Sequence, residues 1–183
     1  MFQSEGKMGK RVGIKSGCFS LIHAGHLYAL EYARARCDHL IVLTNDNDKI
    51  RRKKGCVPIP LEDRMRLLKA LRCVDEVGTF VGEREDAWVQ DFKNNRLYQE
   101  FGPDAKLVVF HDPEVADDFP CKSIADEIIF ITRIDRSVTD IFEMIKATAL
   151  LLPSISVDKY TELDKSRWFA PHNLRGITSN GGL

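Results

Sequence analysis

The segment GCFSLIHAGH, residues 17–26, sets two histidines three positions apart just beyond a glycine turn. A strand-like run ends at Gly17 and a helix-like run starts near Ala24, so His23 and His26 straddle the opening of a helix. At about 100° per residue the two rings stand roughly 60° apart around that helix and can face one point. The point lies near the helix N-terminus, whose unpaired N–H groups favour anions. Two imidazoles over such a helix end suit a reaction in which negative charge builds on a phosphoryl group. Surface histidines beside a turn are the plainer alternative. Zinc is a weaker one, because no nearby cysteine or third histidine completes a ligand set.

Other segments carry groups of the same kind. The run RRKK at residues 51–54 reads as a phosphate clamp or as a solvated charge run. Asp112 precedes Pro113 and serves either a nucleotide contact or a turn. Arg64 follows Leu61 by three residues on a helical pattern, where a surface salt bridge with Glu62 or Asp63 is the simplest use. Ser137-Val138-Thr139-Asp140 has the form of a capping box, which leaves its helix start able to offer N–H groups to phosphate.

The elements that must position these groups alternate between strand and helix. Residues 11–19, 39–44, 74–81, 107–110 and 128–132 read as strands, the second (HLIVLT) continuously apolar, as in a strand covered on both faces. Residues 24–36 read as a helix with Leu27, Leu30 and Ala33 inward. Pro60 opens a helix over 61–71 with Leu61, Met65, Leu68 and Leu71 at helical spacing; residues 85–101 and 137–150 complete the set. The alternation predicts right-handed crossovers and a Rossmann-like α/β three-layer sandwich around a central parallel sheet. Ligands bind such sheets beyond the strands' carboxyl ends, which directs attention to 17–25, 44–60, 111–121 and 133–137. The expected domain spans residues 8–150, and 151–183 form a C-terminal extension that packs in part, through Trp168 and Phe169, and frays at its end.

Bulk properties bound the function. A chain of 183 residues is one domain's worth, and 27 basic against 27 acidic residues leave no excess for coating nucleic acid or an anionic membrane. The five cysteines are odd in number and include no Cys-x-x-Cys pair, against a disulfide framework. No apolar signal core opens the chain and no apolar run reaches membrane-spanning length, so the expected compartment is the cytoplasm.

The 17–26 segment resembles the strand-G-x-F-D-x-x-H-x-G-H-helix signature of the cytidylyltransferase-like nucleotidyltransferases. Within that superfamily the chain resembles the heptose-1-phosphate adenylyltransferase domain and glycerol-3-phosphate cytidylyltransferase. Three further blocks follow in the same order: KKGCVPIPLEDRMRLLKALRCVDEV (53–77), VVFHDPEV (108–115) and RIDRSVTDIFEMI (133–145). The resemblance implies transfer of AMP or CMP from ATP or CTP to a phosphorylated sugar or polyol, with release of pyrophosphate. His23 and His26 would contact the phosphates and stabilise the transition state. Lys54, or its neighbour Lys53, would neutralise triphosphate and substrate oxygens. Gly17, Phe19, Gly25, Arg64 and Asp112 would hold the nucleotide. Arg133 or Arg136 would supply the family's arginine, and Ser137 and Thr139 would bind the departing pyrophosphate. Mg²⁺ is implied as a cofactor that travels with the nucleotide, with no dedicated protein metal site. The partners implied are a nucleoside triphosphate and a phosphorylated small-molecule acceptor, and the resemblance raises a homodimer that no exposed apolar stripe marks. One departure is Ser20, where relatives usually carry aspartate; it opens capping in the carboxylate's place, altered substrate choice or a weakened enzyme. Two rivals are a non-catalytic nucleotide-binding protein of this fold and a coenzyme-precursor adenylyltransferase.

Overall fold

The computed structural model describes residues 9–113 and 120–132, which all fall within one compact unit, Met1–Ile141. Five strands, β1 (Arg11–Gly17), β2 (His39–Asn45), β3 (Glu76–Phe80), β4 (Lys106–His111) and β5 (Glu127–Phe130), form one sheet in the order β3-β2-β1-β4-β5. Every pairing is parallel. The chain winds outward from β1 to β3, then crosses back to β4, so the strand order reverses between β1 and β4.

Alternation along the strands sorts the core into two layers. Ile41 and Leu43 of β2 and Leu107 and Val109 of β4 face one side, packed with Val89 and Phe92 of α4 (Asp86–Phe92). Leu40 and Val42, with Val108 and Phe110, face the other, packed with Leu30 and Ala33 of α1 (Ala24–Arg34) and Leu68 of α3 (Leu61–Lys69). The three-layer sandwich expected from the alternating pattern is the one observed. Each fully buried aliphatic side chain in these layers contributes about 1.5–3 kcal/mol.

Departures from the expected elements are local. The helix expected over 85–101 is α4, a π-helical turn at Lys93–Leu97 and a short α5 (Tyr98–Phe101). Between β2 and α3, expected as loop, lies α2 (Asn47–Lys54), closed at its start by Asp46, which accepts from Lys49 N at 2.6 Å, and at its end by Gly55 with φ of 80°. Only Ile50 of that helix is buried, so no apolar stripe announces it. In α1 the inward stripe runs through His26, Ala29, Leu30 and Ala33, while Leu27 is 37% exposed, one position off the expected face. The helix expected over 137–150 and the extension 151–183 lie outside the described residues.

The amino ends of the strands are tied by aspartates. Asp38, Asp75 and Asp126 accept the backbone N–H of Arg11, Leu40 and Leu107 at 2.7, 2.7 and 2.8 Å. Each stands just before one strand and holds the first residues of its neighbour. Three backbone donors are thereby satisfied at this end of the sheet. Among the described residues no helix is long and apolar enough to cross a membrane, and all five cysteines are unpaired thiols.

Gly13 in the middle of β1 lets the α1–β2 connection and the Phe110 side chain of β4 pack over the strand: a Cβ there would meet Cys37 Sγ at 2.7 Å and the Phe110 ring at 2.8 Å. Gly13→Ala is expected to lower the unfolding free energy by about 1–3 kcal/mol through overpacking, read from a lower urea midpoint at unchanged slope.

Candidate active site

The carboxyl ends of the strands converge on a cleft of about 280 Å³ beside the β1–β4 switch. Its floor is the end of β1 and the turn into α1. Phe19 occupies that turn with φ of 45°, a left-handed conformation that costs a non-glycine residue about 1–3 kcal/mol. Packing holds it there: Phe19 is buried, and its ring lies 5.0 Å from that of His26. Gly17 makes room, since a Cβ at that position would come within 2.9 Å of the Phe19 ring.

His23 is the N-cap of α1, its Nδ1 accepting the Gly25 N–H at 3.1 Å. In the neutral ring the proton therefore resides on Nε2, which is a donor. Ser20, one candidate for that capping role in the sequence, does not fill it; it is buried in the cleft wall. The rings of His23 and His26 are 4.0 Å apart between centroids, and both line the cleft, so the convergence expected from helical spacing is present. Burial first, then the charges of His23 and Lys15, lower the His26 pKa from 6.5 to about 4. His26 Nδ1 is buried without a hydrogen-bond partner. An uncharged, poorly solvated imidazole at the front of an inward stripe is poised to respond to an arriving anion.

Cations dominate the rest of the wall. Lys15, near the carboxyl end of β1 and almost wholly buried, pairs with Asp112 at 3.1 Å across the switch point. Lys49, Lys53 and Lys54 reach the cleft from α2. The basic run thus divides: Arg51 and Arg52 engage Asp48 and Glu83 at 2.7 and 2.9 Å, away from the two lysines that line the cleft. Among the described lining residues four lysines stand against two carboxylates, Glu85 and Asp112, a balance that suits a polyanion. Lys15, Lys49 and Glu85 were not singled out in the sequence. A lysine inside an apolar strand near its carboxyl end was the available signal for Lys15; Lys49 and Glu85 carry none.

Arg64 is placed differently from both uses weighed for it. It is 0% exposed, forms no surface salt bridge, and is not part of the cleft lining. Its guanidinium donates to Ile59 O at 3.0 Å, Cys18 O at 2.9 Å, Thr44 Oγ1 at 2.6 Å and Asn47 Oδ1 at 3.0 Å. Arg64 therefore braces the segments that carry the site, and burial lowers its pKa below the usual guanidinium range. Of the other expected residues, Gly17, Phe19, Gly25 and Asp112 line the cleft, as do Ile131 and Thr132, the latter immediately before Arg133 in sequence. Arg133, Ser137 and Thr139 lie outside the described residues. Among the described residues no group of three or more His, Cys, Asp or Glu side chains could hold a metal ion.

A cytidylyltransferase-like family model matches residues 14–163, and the chain belongs to that family. Its curated relatives include proteins named bifunctional protein HldE. That of Alcanivorax borkumensis is 37% identical over 141 residues, covering 75% of this chain and 28% of the relative. That of Streptomyces coelicolor is 40% identical over 114 residues, covering 52% and 25%, and that of Methylococcus capsulatus 48% over 79 residues, covering 42% and 17%. The chain thus spans less than a third of the length of these relatives. Similar solved structures include a lipopolysaccharide core biosynthesis protein from Thermoplasma volcanium, with 21% identity and a TM-score of 0.48 over 69% of this chain and 100% of that one. Another is a bifunctional NMN adenylyltransferase/ADP ribose pyrophosphatase from Francisella tularensis, complexed with AMP and an Mn ion, with 14% identity and a TM-score of 0.48 over 74% and 41%.

Two predictions come from this geometry. The unfolded chain takes up the His26 proton near pH 6.5, whereas the folded chain does so only near 4. Stability from this group is therefore complete above the unfolded pKa and is lost as pH falls through the folded one. His26→Asn should flatten the decline of unfolding free energy across that window; an unchanged slope would assign the decline to another group. Arg64→Ala should cost about 3 kcal/mol or more, because it opens a cavity and strands buried acceptors. Thermal unfolding measures the loss.

Proposed function

We propose that the chain is a nucleotidyltransferase that moves AMP or CMP from ATP or CTP to a phosphorylated sugar or polyol and releases pyrophosphate. The observation that carries this is the meeting of two imidazoles, 4.0 Å apart, with a lysine-lined wall at the carboxyl ends of the central strands. Membership of the cytidylyltransferase-like family and the resemblance of four sequence blocks to sugar- and polyol-phosphate enzymes support it.

A phosphate oxygen of the acceptor attacks the α-phosphorus in line, the bond from that phosphorus to the bridging oxygen breaks, and pyrophosphate departs with the electron pair. The acceptor dianion is already a competent nucleophile, so the protein supplies position and charge stabilisation. His23 donates from Nε2 towards the phosphate oxygens. His26, neutral when the cleft is empty, gains a proton more readily once a polyanion neutralises the field of Lys15 and His23. Lys54 and Lys53 draw the phosphates together, and Arg64 acts as a positioning residue. Arg133, Ser137 and Thr139, which follow Thr132 in the chain, would meet the departing pyrophosphate. Magnesium would enter with the triphosphate rather than on a dedicated protein site, with Asp112 and Glu85 the carboxylates of the cleft lining, and it would neutralise the leaving group.

Pyrophosphate release, measured with each nucleotide against a panel of sugar and polyol phosphates, tests the proposal. One nucleotide and one acceptor class should be required together, and His23→Ala and His26→Ala should each lose about 10²–10³ in turnover while remaining folded. Lys54→Ala should act chiefly by raising KM. Nucleotide binding without pyrophosphate release from any acceptor would contradict catalysis and favour a purely nucleotide-binding role.

A further inference from the structure

One wall of the cleft holds two buried polar groups that phosphoryl chemistry does not use. Asn45, the last residue of β2, is 3% exposed; its Oδ1 accepts from Cys18 Sγ at 3.2 Å. Its Nδ2 is buried with no hydrogen-bond partner. Glu85, ahead of α4, is 5% exposed and accepts the Ser16 hydroxyl at 2.6 Å. Both line the cleft. Ser16 and Cys18 are two residues apart at the end of β1, so the amide and the carboxylate are secured by neighbouring points of one segment. A buried donor without an acceptor is rare in native chains and asks for an explanation. Here a ligand atom supplies one.

We propose that Asn45 and Glu85 form the acceptor subsite and recognise a hydroxyl group of a polyol or sugar phosphate. This rests on the transferase reading above and deepens it. A hydroxyl both accepts and donates, so it takes a hydrogen bond from Asn45 Nδ2 and gives one to the Glu85 carboxylate, which has acceptor capacity beyond its bond from Ser16. An ammonium head group, as in ethanolamine phosphate, satisfies Glu85 but turns a second donor towards Asn45. A carboxylate is repelled by Glu85, and an apolar arm leaves both groups unpaired. Lys53 of α2 lines the same cleft and supplies charge for the acceptor's phosphate, while Lys49 is held by the carbonyl and carboxylate of Glu83. Specificity of this sort is steep, because a site built to bond a hydroxyl penalises a ligand that lacks it.

The test uses the full chain, its Asn45→Asp and Glu85→Gln variants, and glycerol 3-phosphate, pentose, hexose and heptose 1-phosphates and ethanolamine phosphate as acceptors. Pyrophosphate release gives KM for acceptor and nucleotide separately, and calorimetry gives nucleotide binding. The unaltered chain should use a polyhydroxylated phosphate at least about tenfold better than ethanolamine phosphate in kcat/KM, and each variant should raise that acceptor's KM by about tenfold or more, with a much smaller change for the nucleotide. Asn45→Asp, which leaves two acceptors facing the ligand, should narrow the discrimination against ethanolamine phosphate. A deoxy analogue lacking the recognised hydroxyl should show the same loss with the unaltered chain, which keeps the test decisive if a variant fails to fold. Unchanged acceptor KM values in folded variants, no penalty for any deoxy analogue, or preference for ethanolamine phosphate would overturn the subsite while leaving the transferase standing. Failure to bind any nucleotide, or to release pyrophosphate with any acceptor, would bring down both.

Discussion

The β1–α1 turn, the junction of β2 with α2 and the approach to α3 meet at one buried guanidinium. Arg64 reaches from α3 to the carbonyl of Cys18 in the β1–α1 turn, to Thr44 near the end of β2, to Asn47 at the start of α2 and to the carbonyl of Ile59. Every hydrogen-bond partner is neutral, so oriented dipoles hold the guanidinium directly, with the carboxylates of Asp46 and Glu62 acting on it from further away. That makes the arrangement demanding: each dipole must be present and aimed for a cation to remain inside the protein. The consequence is geometric. The turn that holds Phe19 and leads to His23, the strand end that holds Asn45 and the helix that carries three cleft lysines are all referred to a single point.

The two ends of the sheet show opposite uses of polarity. At the amino ends, aspartates occupy the backbone donors of neighbouring strands, and His39 Nε2 is a buried side-chain atom there without a hydrogen-bond partner. At the carboxyl ends the order reverses between β1 and β4, the crossovers part, and His26 Nδ1 and Asn45 Nδ2, both without a hydrogen-bond partner, lie beside the lysines of the cleft, of which Lys15 and Lys49 are paired with Asp112 and Glu83. A Rossmann-like sheet opens its crevice at this place. In this chain the floor of that crevice is shaped by a left-handed phenylalanine, whose ring helps to desolvate His26.

Much of this was legible in the residues, and the exceptions have physical reasons. The continuous apolar run HLIVLT read as a strand covered on both faces, and β2 is one. The pair His23 and His26 converged as helical spacing required. The helix α2 escaped because its stability comes from Asp46 and Gly55 at its ends rather than from an apolar face, so hydrophobic periodicity was silent where capping residues were not. Arg64 was misjudged for the opposite reason. It shares the buried stripe of Leu61, Met65 and Leu68, but a charged residue on a helix is ordinarily assigned to the surface. Lys15 and Glu85 depend on partners far along the chain, Asp112 and Ser16, and no local pattern predicts such pairings.

Catalysis in the proposed transfer rests on positioning and charge, with no protein group bonded to the transferred phosphoryl. Its most direct test is stereochemical. A nucleoside α-thiotriphosphate of defined configuration, turned over with the accepted sugar or polyol phosphate, reports how many displacements occur at the α-phosphorus. A single in-line attack by the acceptor, as His23, His26 and the α2 lysines are arranged to support, gives a product of inverted configuration. Retention would require a covalent intermediate on the protein and would contradict the account.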